Sequence, residues 1–232
     1  MGFSTGCLYR SVENTYAPET VQLLARKSSA AIEVMCAYPD HVSRLAAMIP
    51  ALQDFDVKSV HLPVHTRYTN TKEIRLMLRA IEKFYLKIGA SLAVIHPDLV
   101  DDWRVFQGRK MCFAVENMDS RKGSFKQPEE FVQFFAQQPD WKLVLDINHC
   151  HAHDKSLALA DEFVESCGEQ LAEIHISGAG VDLYHQPLYR TRQAKFIAKI
   201  PAGSCPIIIE SPCHPSMLVV ELAYIRQRLK GD

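Results

Sequence analysis

The chain has 232 residues, 47% hydrophobic and 23% charged, with 26 Lys and Arg against 27 Asp and Glu, giving a formal net charge of −1. That length supports one sizeable core, and the near-neutral balance excludes a global basic field that would collect nucleic acid or an anionic membrane. Seven scattered cysteines, an odd number with no CxxC pair, read as reduced and mostly buried thiols and point to the cytoplasm; no leader-like segment or run of about 18 apolar residues is present, so neither secretion nor a membrane span is expected.

Short apolar runs alternate with helix-period segments from end to end, without a low-complexity linker, so residues 1–232 read as one α/β domain. The first strand is expected in GFSTGCLY, with Cys7 inside it, followed by the helix VQLLARKS with Thr15 as its candidate N-cap ahead of Pro18. AAIEVMC is the second strand, and HVSRLAAMIPALQDF the helix after it. KSVHLP is the third strand. Its helix, TKEIRLMLRAIEKFYLKIG, sets Ile74, Met77, Leu78, Ile81, Phe84 and Tyr85 on one face and stops at Gly89. SLAVIHP, MCFAVENM (with Cys112) and KLVLDI supply strands four to six, with the helix PEEFVQFFAQ starting at Pro128 between the last two. LALADEFVESC, LAEIHIS, a helix around RTRQAKFIAKI, PIIIES and PSMLVVELAYIRQRL complete eight strand and helix units, the count of a single (β/α)8 barrel.

Acids and histidines recur where these apolar runs end: His61, His96, Glu116, Asp146, His149, His175 and Glu210. Strand ends of such a barrel share the face that carries active sites, so the pattern predicts a metal-binding pocket there. Imidazole suits zinc and other transition metals, while carboxylates neutralise charge and bridge two ions. LDINHCHAHD is the densest block, with His151 and His153 expected in a loop beyond His149. Glu33 either reaches the pocket or serves locally, at the next helix or against Arg10. His65 is an alternative ligand to His61, His41 and His214 read as helix-start residues, and Trp103 and Trp141 as packing residues. Cys213 lies near Glu210 without a visible base, and DSRKGSF is the best candidate for a lid.

The order Glu116 (VEN), Asp146 with His149 (LDINHCHA), His175 (EIHIS) and Glu210 (IES) resembles the xylose isomerase-like TIM barrels, which include endonuclease IV (AP endonuclease family 2) and sugar isomerases and epimerases. His61 in VHLP, His96 in IHPD, His149 and His185 in DLYHQP resemble the additional histidines of the endonuclease IV branch. The resemblance implies one ion held by His61, His96 and Glu116, a second by Glu116, Asp146, His175 and Glu210, and a third using His149 and His185. That branch has an Asp two residues before the last histidine, where this chain has Leu183, with Asp182 one residue earlier; the count is two or three Zn2+ ions, with Mn2+ or another divalent metal as the alternative. Val64 replaces an aromatic of that branch's DNA-wedging loop, with Tyr68 nearby, and the connections are short. A small sugar or phosphoester substrate is therefore expected instead of extensive duplex DNA, with the chain a monomer or homodimer.

With two or three ions the favoured chemistry is phosphoester hydrolysis around a bridging Glu116, with Arg67, Arg121, Lys122, Arg190 and Arg192 available to steer phosphate. With one ion, Glu116 and Glu210 are the candidate catalytic acid and base of a sugar isomerase or epimerase. A non-catalytic metal- or sugar-binding barrel is the further alternative.

Overall fold

A computed structural model of the chain describes residues 1–180, 185–203 and 205–231. The barrel strands are β1 (Gly2–Ser4), β2 (Ala31–Met35), β3 (Val57–His61), β4 (Leu92–Ile95), β5 (Phe113–Glu116), β6 (Lys142–Asp146) and β7 (Leu171–Ile176). After a small antiparallel ribbon, β8 (Gly178–Ala179) and β9 (His185–Gln186), the last barrel strand is β10 (Ile207–Ile209). All eight barrel strands run parallel and close in the order β1-β10-β7-β6-β5-β4-β3-β2. The closed (β/α)8 architecture expected from the alternation is present.

Strands buried on both faces are apolar almost throughout, and these follow that rule. Val60, Ile95, Val115, Leu143 and Ile174 belong to the main core, while Leu92, Val94, Ala114 and Val144 form a separate cluster. Register explains the second cluster: His61 is level with Val94, Val94 with Ala114, and Glu116 with Val144, so the four apolar residues share the barrel interior with the polar site. Gly2 is required where β1 meets β2, since a Cβ there would collide with the Ala31 carbonyl.

Around the barrel lie α1 (Pro18–Ala25), α2 (Ile49–Leu52), α3 (Lys72–Ile88), α4 (Pro128–Gln137), α5 (Ile147–His153), α6 (Ala158–Cys167), α7 (Leu188–Thr191), α8 (Ala194–Ala198) and α9 (Leu218–Leu229). The longest, α3, begins at the Thr71 cap and ends at Gly89 in the left-handed region (φ 65°), as its periodicity indicates; Met77 is only partly buried and Ile88 completes the buried face. Trp103 and Trp141 pack with their ring centroids 5.2 Å apart among Phe106, Phe113 and Phe134.

Several expectations are corrected. The first strand stops at Ser4, whose hydroxyl accepts the Gly6 N–H and opens a 3-10 turn, Thr5–Leu8, that contains Cys7. Ala17, not Thr15, stands before Pro18 in the cap position of α1. The stretch expected as one helix over 41–55 is a 3-10 helix, Pro39–Met48, followed by the short α2. Pro50 has no N–H to bond Ala46, so an α-helical ladder cannot run through that junction. The region around 190–200 is divided between α7 and α8 at Arg192, which has φ 58°. Cys112 precedes β5 and is exposed, whereas Cys7, Cys36, Cys150, Cys167 and Cys213 are buried, and all seven cysteines are free. Among the described residues no helix is long and apolar enough to cross a membrane.

Candidate metal centre

The strand ends deliver their polar side chains to one mouth of the barrel. His61 ends β3, His96 follows β4, Glu116 ends β5, Asp146 ends β6, His175 is the penultimate residue of β7, and Glu210 follows β10. Asp146 also caps α5: its Oδ1 accepts the His149 N–H at 3.0 Å. This cap turns the chain so that His149 comes back over the pocket, and the segment expected as a histidine-rich loop is helical because of it.

Glu116 is the hub. Its Oε2 lies 3.1 Å from His61 Nε2 and 3.2 Å from His96 Nε2, while its Oε1 lies 3.3 Å from His149 Nδ1 and 3.6 Å from His175 Nδ1. The two carboxylate oxygens thus face different partners. His175 Nδ1 is 3.4 Å from Glu210 Oε1, and His185 Nδ1 is 3.5 Å from Glu210 Oε2. Among the described residues four sets of potential ligand atoms converge within 4.8 Å: His61, His96 and Glu116; Asp146, His149 and His185; Glu116, Asp146, His175 and Glu210; and, deeper in the barrel, Glu33, Glu173 and His175. All eight residues singled out as metal ligands meet here. Asp182 and Leu183 lie outside the described residues.

Neighbouring groups set the histidine rings. His61 Nδ1 is 3.0 Å from the Leu62 carbonyl and His149 Nδ1 is 2.8 Å from the Asn117 carbonyl; a carbonyl only accepts, so Nδ1–H donates in both contacts and the neutral ring carries its lone pair on Nε2, which in His61 faces Glu116 Oε2. His185 Nδ1 is 3.0 Å from Ser177 Oγ, which in turn accepts from Asn148 Nδ2. The Asn117 side chain bonds both the N–H and the C=O of Asp146, fixing the ends of β5 and β6 together. Outer partners of this kind orient metal-binding imidazoles.

Electrostatics and unmet hydrogen bonds fit a divalent cation. Asp146 Oδ2 and His175 Nδ1 are buried with no hydrogen-bond partner, an expensive arrangement that a bound ion would relieve. Burial acts to raise the Glu116 carboxyl, but the neighbouring His96, His175 and His61 rings overcome it and hold the group well below the usual range. Glu210 is pushed the other way, well above that range, by burial and by Asp146, Glu116 and Glu33, with His175 opposing. Acids crowded so closely that one is driven toward protonation form a site short of positive charge.

The cavity above these groups has a volume of about 440 Å³. Its outer wall includes Arg10, Tyr16, Tyr38, His41, Val64 and His65. His65, considered in place of His61, stacks on Tyr38 with centroids 4.2 Å apart and joins none of the ligand sets. His41 bonds the Tyr16 hydroxyl at 2.8 Å instead of serving a helix start, whereas His214 does cap the next turn by accepting the Ser216 N–H. Tyr68 is buried, its hydroxyl donating to the Pro63 carbonyl. Arg67 pairs with Asp101, Arg121 with Asp119 and Lys122 with Asp98; Arg190 and Arg192 lie outside the lining; none of the five lines the cavity, and Arg10 does. The segment 119–125 is tied to the body by Lys122 on Asp98 and by the Phe125 N–H on Glu130, while the Arg121–Asp119 pair lies within it. Cys213 is buried, and burial with Glu221 pushes its thiol up to about 12, which removes it as a nucleophile.

Glu33 faces His175, not Arg10, with its Oε2 3.2 Å from His175 Nε2. Glu173, unmarked in the sequence reading, lies 3.2 Å from the same nitrogen. Strand periodicity carried the signal: Glu173 is two residues before His175 and shares its face.

No protein-family model matches the chain, and no curated protein matches it. Solved structures do match. Endonuclease IV from Thermus thermophilus is similar over 100% of both chains, with a TM-score of 0.67 and 16% identity. D-allulose 3-epimerase from Methylomonas sp. is similar over 98% of this chain and 97% of its own, with a TM-score of 0.67 and 16% identity. D-psicose 3-epimerase, solved in the presence of D-fructose, is similar over 99% of each chain, with a TM-score of 0.68 and 11% identity. The chain shares the closed (β/α)8 fold of endonuclease IV and these 3-epimerases.

Proposed function

We propose that the protein is a divalent-metal-dependent hydrolase of a small phosphoester or sugar phosphate, with zinc as its metal. The observation that carries this reading is the division of Glu116, one oxygen toward His61 and His96 and the other toward His175 and His149. A centre for one ion needs only the Glu116, Asp146, His175 and Glu210 set; the additional histidines provide for a second and a third. His61, His96 and Glu116 would hold one ion, Glu116, Asp146, His175 and Glu210 another, and Asp146, His149 and His185 a third. Bound ions would supply a water of lowered pKa and neutralise phosphoryl oxygens. Glu116 would keep the ions at a fixed separation, and Arg10 at the rim would meet substrate charge. The cavity suits a small molecule.

A second reading, ketose epimerisation, has its own support: Glu116 is held low and Glu210 high, the divergence expected of a base and an acid. Solved epimerases also share the fold.

Elemental analysis of the purified protein beside His61→Ala and His96→Ala, with phosphodiester and ketose assays on the same samples, separates them. Two or more zincs per chain, reduced by either substitution together with phosphodiester cleavage, is the expected result. One ion indifferent to both substitutions, with ketose turnover, would replace the hydrolase reading by the epimerase.

A further inference from the structure

Glu33 and Glu173 are absent from the cavity lining, yet both are fully buried inside the barrel, at 0% and 1% exposure. Glu173 Oε1 lies 3.2 Å from His175 Nε2, and Ser59 Oγ donates to the same oxygen at 3.1 Å. Glu33 Oε2 lies 3.2 Å from that ring nitrogen, and neither Glu33 oxygen has a hydrogen-bond partner. The opposite nitrogen, Nδ1, faces Glu116 and Glu210 and is likewise unpartnered. A neutral imidazole has one N–H and one lone pair, so the partner of one nitrogen decides what the other can do.

We propose that Glu33 and Glu173 are positioning residues of the metal centre, Glu173 keeping the N–H on Nε2 and both together presenting the Nδ1 lone pair of His175 to the ion. The proposal rests on the metal-centre reading above. His61 and His149 are braced by neutral backbone carbonyls and turn Nε2 to the cavity; His175 is braced by carboxylates and turns Nδ1. A carboxylate behind a ligating imidazole makes the ring a stronger donor, and a cation on Nδ1 polarises the ring in the sense that accommodates the Glu33 charge. The brace is built into the sheet: Glu33 is level with Ser59 on the adjoining strand, and Glu173 shares a strand face with His175.

The test is competition of zinc-loaded protein with a chromophoric chelator, for wild type, Glu173→Gln, Glu173→Met and Glu33→Gln, with thermal denaturation confirming that each variant folds. Glu173→Met should weaken one ion by about 10–100-fold, and Glu173→Gln, which keeps an acceptor, by less. Long-range proton–nitrogen correlation of the histidine rings in the zinc protein should show His175 bound through Nδ1 with Nε2 protonated, and His61 bound through Nε2. Unchanged affinity in all variants, or His175 bound through Nε2, would overturn the proposal; the latter would make the two carboxylates ligands of an ion of their own. Wild type without any ion would defeat the metal-centre reading itself, a separate failure.

Discussion

At the scale of single residues, the sequence discloses which side chains arrive at the mouth but not which of their atoms point where. His61, His96, Glu116, Asp146, His175 and Glu210 were legible because a polar group after an apolar strand has few other reasons to be there. Ring orientation was not legible, since it depends on partners such as the Asn117 carbonyl and Ser177 that come from other strands. His151, expected in a loop beyond His149, is instead a helical residue that joins neither the cavity lining nor a ligand set. It is buried, its Nδ1 has no partner, and its ring lies 4.8 Å from that of Phe196. Burial, with Lys155 and Lys195, pushes it down to about 4. Its unfolded value is about 6.5. Because the unfolded chain takes up this proton more readily, the contribution to stability is fully present above about pH 6.5 and is lost as the pH falls toward 4. The urea midpoint of the wild type should therefore drop on acidification more steeply than that of His151→Leu; parallel curves would show that His151 has no such role.

At the scale of elements, legibility followed the strength of the local signal. Helix α3 could be read from cap to stop because Thr71 and Gly89 bracket a regular apolar period. The 39–48 segment could not, because its composition is helical while Pro50 interrupts the hydrogen-bond ladder. Helix α5 was missed for a subtler reason: its N-cap is Asp146, a residue already assigned to the pocket. At α4 a single side chain fixes the entry. Glu130 accepts the N–H groups of Phe125, Lys126 and Gln127 at 2.7, 2.7 and 3.0 Å, and Phe125 is held at φ 57°. Glu130→Ala leaves all three donors without that partner and should cost about 1–2 kcal/mol, read from urea denaturation. A loss below about 0.3 kcal/mol would mean that water replaces the carboxylate without penalty.

At the scale of the whole molecule, closure of the sheet makes the site. Residues distant in sequence become neighbours only because eight strand ends form a ring, and the alternation of apolar runs with helices was enough to foresee that ring. On the proposed metal-centre reading, zinc binds the acids and histidines gathered at the mouth and not the unfolded chain, so chelation should lower the melting temperature of the zinc-loaded protein and zinc should restore it. At a free zinc concentration of 100 times the Kd the gain is about 2.7 kcal/mol per site. A melting temperature indifferent to both treatments would indicate that no ion is held in the native state. Because β1 pairs with both β2 and β10, the edge of the first strand stays open until the last strand is in place. During synthesis His61, His96 and Glu116 leave the ribosome well before Glu210, and domains fold as units. The strand whose arrival lets the barrel close is therefore the same one that brings Glu210 to its mouth, so the pocket is complete only when the ring is.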